Sequence, residues 1–91
     1  MTKAEIVKEI SLKTDIEKKI VMQVIEGMME TIKSSMTNGE DVFLRGFGSF
    51  IIKHRAEKTA RNISKNTTMI VPAHNIPAFK PAKEFVEKLK Q

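Results

Sequence analysis

Residues Lys53 to Pro72 read KHRAEKTARNISKNTTMIVP, and the organisation of the chain follows from them. The stretch carries Lys53, Arg55, Lys58, Arg61 and Lys65 against the single acid Glu57, and its middle, Arg61 to Thr68, holds almost nothing that a hydrophobic core would accept. Strand-forming residues flank the largely polar centre Asn62-Ile63-Ser64-Lys65-Asn66 on both sides. That pattern predicts a long two-stranded ribbon with its turn near residues 63 to 66, a basic arm reaching away from a compact body.

The 91 residues give room for a single domain, 1–91, and subtracting the arm leaves roughly seventy for a core, near the lower limit for a stable monomer. A second copy would supply the missing burial. Charge is unevenly placed: residues 1–41 carry a net −2, residues 42–79 a net +5, and residues 80–91 a net +2. A neutral-to-acidic front followed by a basic ribbon and tail is the electrostatic footprint of a polyanion binder. The absence of Cys excludes a disulfide framework and thiolate chemistry and fits a reducing compartment. The start, MTKAEIVKEI, has charges every few residues, so it reads as neither a signal peptide nor a membrane span, and a cytoplasmic location is expected.

Outward from the arm, Val42-Phe43-Leu44-Arg45 reads as a strand, Gly46-Phe47-Gly48 as a turn and Ser49-Phe50-Ile51-Ile52 as the returning strand that runs on into the ribbon. Phe47, between two glycines, is expected to pack against the helices or a second subunit. Thr67 to Val71 descends, and Pro72 and Pro77 each delete a ladder donor, favouring an edge or a bend. Towards the N-terminus, Thr2-Lys3-Ala4-Glu5 has capping-box spacing and predicts a short helix ending near Lys13. Thr14-Asp15-Ile16-Glu17 repeats that spacing, with Thr14 as the predicted N-cap of a second helix that Asn38-Gly39 terminates. This second helix has an apolar row Ile20, Val24, Met28, Ile32, Met36 and another of Val21, Ile25, Met29. Together they cover about 180° of its surface, more than the roughly 100° stripe that one partner needs, so packing on two sides is expected. Gly27 in its middle is either a tolerated break in propensity or the site of a close crossing. Pro81 suits the first turn of a last helix, about 82–90, which turns Phe85, Val86 and Leu89 inward. The fold class is therefore α+β: a helical hairpin over 2–38, an antiparallel three-stranded sheet with its arm over 41–79 (arm about 53–72), and a short C-terminal helix.

Catalytic chemistry finds no constellation here. Gly46-Phe47-Gly48 lacks the third glycine and the strand-to-helix context of a dinucleotide fingerprint, and a β-turn accounts for it better. His54 and His74 are the only histidines, and neither has a carboxylate at helical spacing, so no metal, cofactor or small-molecule substrate is expected. His54 reads as a strand residue, at most an extra phosphate donor. Ser49 near His54 has no third partner for a triad. The six Met are core filler by their placement. The arm's charge asks for more: mixed Lys and Glu would suffice to keep a lone ribbon soluble and unpaired. Six basic residues to one acid over 42–79 exceed that need and point to nucleic acid. An apolar Ile63 beside Arg61 at the tip suits a wedge entering between base steps, although a two-stranded ribbon fits a major groove more easily than the minor groove, which would have to widen and bend.

Three segments carry a resemblance: Arg45-Gly46-Phe47-Gly48-Ser49-Phe50, Arg55-Ala56-Glu57-Lys58-Thr59-Ala60-Arg61-Asn62, and Ile76-Pro77-Ala78-Phe79-Lys80-Pro81-Ala82-Lys83. They are similar, in order and spacing, to the bacterial HU/IHF family of histone-like, DNA-bending, nucleoid-associated proteins, and the similarity covers essentially the whole chain. The resemblance implies an intertwined homodimer, or a heterodimer with a paralogue, whose two arms wrap double-stranded DNA. It implies that Lys53, Arg55, Lys58 and Arg61 track phosphates and the minor-groove wall, with Asn62, Ile63 and Lys65 at the tip. It also implies that the Gly46-Phe47-Gly48 turn and Lys83 meet the backbone beside the body, with Lys3 a weaker contact. The family's tip proline, its intercalating wedge, is Ile63 here; its usual tip glycine is Asn66, and Ala60 replaces another frequent glycine. Isoleucine is among the side chains that wedge. Ile63→Ala is thus expected to keep phosphate-driven affinity and to lower the bend read by end-to-end FRET, and an unchanged bend would remove Ile63 from the mechanism. Action is expected to be sequence-tolerant, the alternatives being IHF-like specificity or an RNA- or protein-binding module.

Overall fold

A computed structural model of the chain describes residues 1–62 and 67–90, with the backbone alone at 60–62 and 67. The described chain forms two compact units, Met1–Ser34 and Ser35–Gln91. In the first, helix α1 spans Lys3–Thr14 and helix α2 begins at Lys18, running on to Thr37. Thr2 caps α1 as its spacing predicts: its Oγ1 accepts from the Glu5 N–H at 3.3 Å and donates to the Glu5 carboxylate at 3.2 Å.

The link between the helices differs from the sequence expectation. Thr14 does not open α2; it closes α1, donating its hydroxyl to Ile10 O at 2.7 Å. Asp15 then enters the left-handed region at φ 60° and returns its N–H to Ser11 O, so residues 15–17 are spent on the stop and α2 starts later. A Thr-x-x-Glu spacing serves either end of a helix when an aspartate able to adopt positive φ sits inside it. The end of α2 is as expected, with Gly39 at φ 87° donating to Met36 O.

Val7 and Val21, each 4 % exposed, are the buried apolar side chains among the described residues. Of the Val21, Ile25, Met29 row of α2, Val21 is buried, Ile25 half-buried and Met29 39 % exposed, whereas Ile20, Val24 and Met28 of the other row remain 47, 66 and 45 % exposed. One of the two predicted packing sides is therefore unfilled within the chain. Gly27 meets nothing within 4 Å of a built Cβ, so no close crossing explains it here.

The second unit is built on a three-stranded antiparallel sheet in the order β1 (Val42–Leu44), β2 (Gly48–Arg55), β5 (His74–Pro81). Strand β1 reaches only from Leu44↔Gly48 to Val42↔Phe50, so the Ile52 N–H would lie beyond its end; Asp41 Oδ1 accepts it instead at 3.0 Å. Asp41→Ala should cost about 1 kcal/mol, seen as a lower urea midpoint at unchanged m-value. Arg45 to Phe47 turn the chain, with the Phe47 N–H bonded to Leu44 O at 2.9 Å and Gly46 at φ 83°. Pro77 is accommodated because β5 is an edge strand.

Helix α3 covers Lys83–Leu89 with Ala82 at its N-cap. Pro81 is thus the last residue of β5, paired with Gly48, and not part of the helix; the ladder to β2 claims it first. Phe85 and Val86 are half-buried as expected, but Leu89 is 76 % exposed, because α3 is seven residues long and its last turn outruns its cover. Phe47 packs on Phe79 and Phe85, with ring centroids 5.1 and 5.6 Å away, and Phe50 on Phe79 at 5.0 Å. These four rings form one aromatic cluster, in which Phe47 and Phe79 remain 46 and 39 % exposed.

Candidate nucleic-acid interface

The arm consists of β3 (Lys58–Asn62) and β4 (Thr67–Val71), an antiparallel pair running from Lys58↔Val71 to Asn62↔Thr67. That last rung brackets residues 63–66, where the turn is predicted; Ile63 and Lys65, the tip residues of the expected site, lie with Asn66 outside the described residues. Between Arg55↔His74 below and Lys58↔Val71 above, two residues on each strand, 56–57 and 72–73, are unpaired. Pro72 lies in that gap and has no N–H to give. Both sides of the interruption keep one frame, with no extra residue on either strand, so no bulge re-phases the ribbon. The alternation then sets Lys58 at opposite parity to Lys53, Arg55 and Arg61, and cationic positions occur on both faces.

Pairing separates these cations from those of the helices. Lys3 meets Glu26 at 2.5 Å, and Lys13 lies 3.8 Å from Glu9. Lys33 lies 2.8 Å from Glu30, whose hydrogen bond and charge raise its pKa. Lys53, Arg55 and Lys58 are exposed and have no ion-pair partner among the described residues. An unneutralised strip of this kind is what attracts phosphate. Among the described residues, Lys3, the weakest of the expected contacts, is the one expected site cation engaged by a carboxylate.

The second cluster of expected residues does come together. Gly46, Gly48 and Lys83 line one groove beside the β1–β2 turn, and Arg45 and Lys80, which sequence reasoning had not assigned to a site, line it too. The Lys80 signal was present: in an alternating edge strand, a lysine opposite Ser49 has no core to enter. Phe47 plays a different part. Its ring is held by Phe79 and Phe85, and its carbonyl accepts the Ala82 N–H at 2.9 Å, so it fixes the turn to the start of α3. Glu84 also reaches this turn, its Oε2 standing 3.3 Å from a Cβ built on Gly46. Asn62 and Arg61 are placed by their backbones alone, at the upper rungs of the ribbon.

A profile described as bacterial DNA-binding protein matches residues 1–90. The chain belongs to the bacterial DNA-binding protein family. Among relatives, the integration host factor subunit beta of Marinobacter nauticus is 38 % identical over 90 residues, covering 98 % of this chain and 92 % of the relative. The DNA-binding protein HU of Thermotoga maritima is 33 % identical over 90 residues, 99 % and 100 % of the two chains. Among solved structures, an Anabaena HU–DNA cocrystal superposes with a TM-score of 0.93 at 37 % identity over 98 % of this chain and 97 % of that one. HU from Thermotoga maritima superposes at 0.69 with 28 % identity, over 98 % of each. The α+β fold and the family expected from the three motifs are thus both found. Among the described residues no group of three or more His, Asp or Glu could hold a metal, and no helix is long and apolar enough to cross a membrane.

Proposed function

We propose that this member of the family is a non-catalytic architectural protein of the nucleoid, acting in the cytoplasm as a dimer on double-stranded DNA. Its ribbons neutralise phosphates along the minor groove, and the duplex bends around them with little regard to sequence, because the energy comes from backbone charge and DNA deformability. HU and IHF are themselves type cases of minor-groove bending, so the mechanism is carried over from relatives and its magnitude is not. The observation that supports it most directly is the exposed set Lys53 and Arg55 at the end of β2 and Lys58 at the start of β3, in one register and without an ion-pair partner among the described residues. Arg61, Asn62, Ile63 and Lys65 would extend that row to the tip, and Gly46, Gly48, Arg45, Lys80 and Lys83 would meet phosphates nearer the sheet.

A second copy has an equally physical basis. Two buried valines among the described residues are a small core, and the Ile20–Val24–Met28 row together with Phe43, 73 % exposed, leaves apolar surface that burial in a dimer would remove from water. A relative's name is that of a subunit. Light scattering across a dilution series reads the assembly, and a monomer at micromolar concentration would overturn it.

The decisive experiment titrates labelled linear, nicked and gapped duplexes and matched RNA at two salt concentrations. Tight duplex binding that weakens steeply with salt is expected. Preference for RNA, or affinity indifferent to salt, would defeat the reading, and competition by random-sequence DNA separates HU-like from IHF-like behaviour.

A further inference from the structure

The ladder sets His74 directly opposite Arg55, on the last rung before the interruption. Opposed residues of an antiparallel pair point to the same face, so His74 shares its face with Arg55 and, one alternation along β2, with Lys53. The imidazole is exposed, and its Nδ1 lies 2.9 Å from Pro72 O. A carbonyl oxygen only accepts, so Nδ1 carries the hydrogen. In the neutral ring Nε2 is then a bare lone pair, which repels an anion; in the cation it becomes a second N–H donor. The ring's ability to hold phosphate therefore depends on one proton.

The charged groups near His74 come from both strands and from the gap. Arg55 and Lys53 of β2 flank the ring, Lys58 begins β3 beyond the gap, Lys80 lies farther along β5, and Glu57 in the gap is the one acid among them. We propose that His74 is a proton-dependent phosphate ligand, pairing with Arg55 at the base of the arm to grip the DNA backbone when its imidazole is protonated. The inference rests on the DNA-binding reading above. His54, whose Nδ1 is likewise engaged, by Asn75 Oδ1 at 3.1 Å, sits at the opposite parity, off the face of Lys53 and Arg55, and so serves as the comparison.

The test is fluorescence anisotropy of one labelled duplex with the full chain between pH 8 and pH 6 at constant ionic strength. Folding is checked by circular dichroism at each pH. The wild type should bind about three- to tenfold more tightly at pH 6, with a salt slope steeper by about 0.9 for each histidine that gains a phosphate. His74→Gln should abolish the gain, His54→Gln should retain it, and His74→Lys should bind tightly with no pH dependence. Identical pH profiles for the wild type and His74→Gln would overturn the proposal, as would a flat wild-type profile; the DNA-binding reading would survive either. Absence of salt-sensitive duplex binding at every pH would end both. Should His74→Gln not fold, the contrast between the wild type and His74→Lys decides.

Discussion

Replacing Gly48 by alanine is expected to destabilise the protein by about 3 kcal/mol, the upper end of ordinary overpacking, and to lower the thermal midpoint by more than any exposed substitution in the sheet. The reason is room. A Cβ built on Gly48 stands 2.6 Å from Lys80 O and 2.6 Å from two ring carbons of Phe79. Lys80 O belongs to the backbone of β5, whose pairing with β2 runs unbroken from Gly48↔Pro81 to Arg55↔His74, so it cannot retreat without opening the ladder. Phe79 is held between Phe47 and Phe50. The turn glycine two residues earlier makes a useful contrast. A Cβ on Gly46 would meet only the end of the Glu84 side chain, and its cost is mainly that of placing an alanine at φ 83°, about 1 kcal/mol. Urea denaturation of both variants separates the two causes, and a Gly48→Ala loss no larger than that of Gly46→Ala would refute the packing argument.

The second large effect is on DNA. Arg55→Ala with Lys58→Ala should reduce the slope of log affinity against log salt by about 0.9 for each phosphate that is no longer neutralised. Affinity near 0.1 M salt should fall by about one to two decades. The two residues lie on either side of the ladder interruption and at opposite parity, so the pair samples both faces of the ribbon. Lys33→Ala is the control, because Glu30 already engages that ammonium at 2.8 Å. A loss from the control half that of the double variant, one charge removed against two, would mean that net charge alone, not the ribbon, governs binding.

Much of this was legible in the residues because punctuation and charge act locally. Asn38-Gly39 ends a helix as read, and the strand-formers on either side of the polar centre pair as far as Asn62↔Thr67, while the turn expected at 63–66 lies outside the described residues. The misreadings arose where one residue pattern serves two local structures. Thr14-Asp15-Ile16-Glu17 looks like a helix start, yet Asp15 tolerates the left-handed conformation that stops α1. Pro81 suits a first helical turn as well as an edge strand, and only long-range pairing with Gly48 decides. The candidate site divides in the same way. Cations on the ribbon are visible as composition, but their lack of partners, the gathering of Arg45, Lys80 and Lys83 beside the turn, and the placing of His74 across from Arg55 depend on register, which no local pattern contains.

The interruption at 56–57 and 72–73 also insulates the body of the sheet from what happens above it. Hydrogen bonding propagates cooperatively only while rungs are contiguous, and a two-stranded ribbon alone is marginal in water. Fraying that begins in β3 and β4 therefore has no rung through which to unzip β2 from β5, and the His54–Asn75 and Arg55–His74 pairs form a terminus of their own. A loss of pairing in the arm would therefore stop at the gap and leave the four-phenylalanine cluster packed.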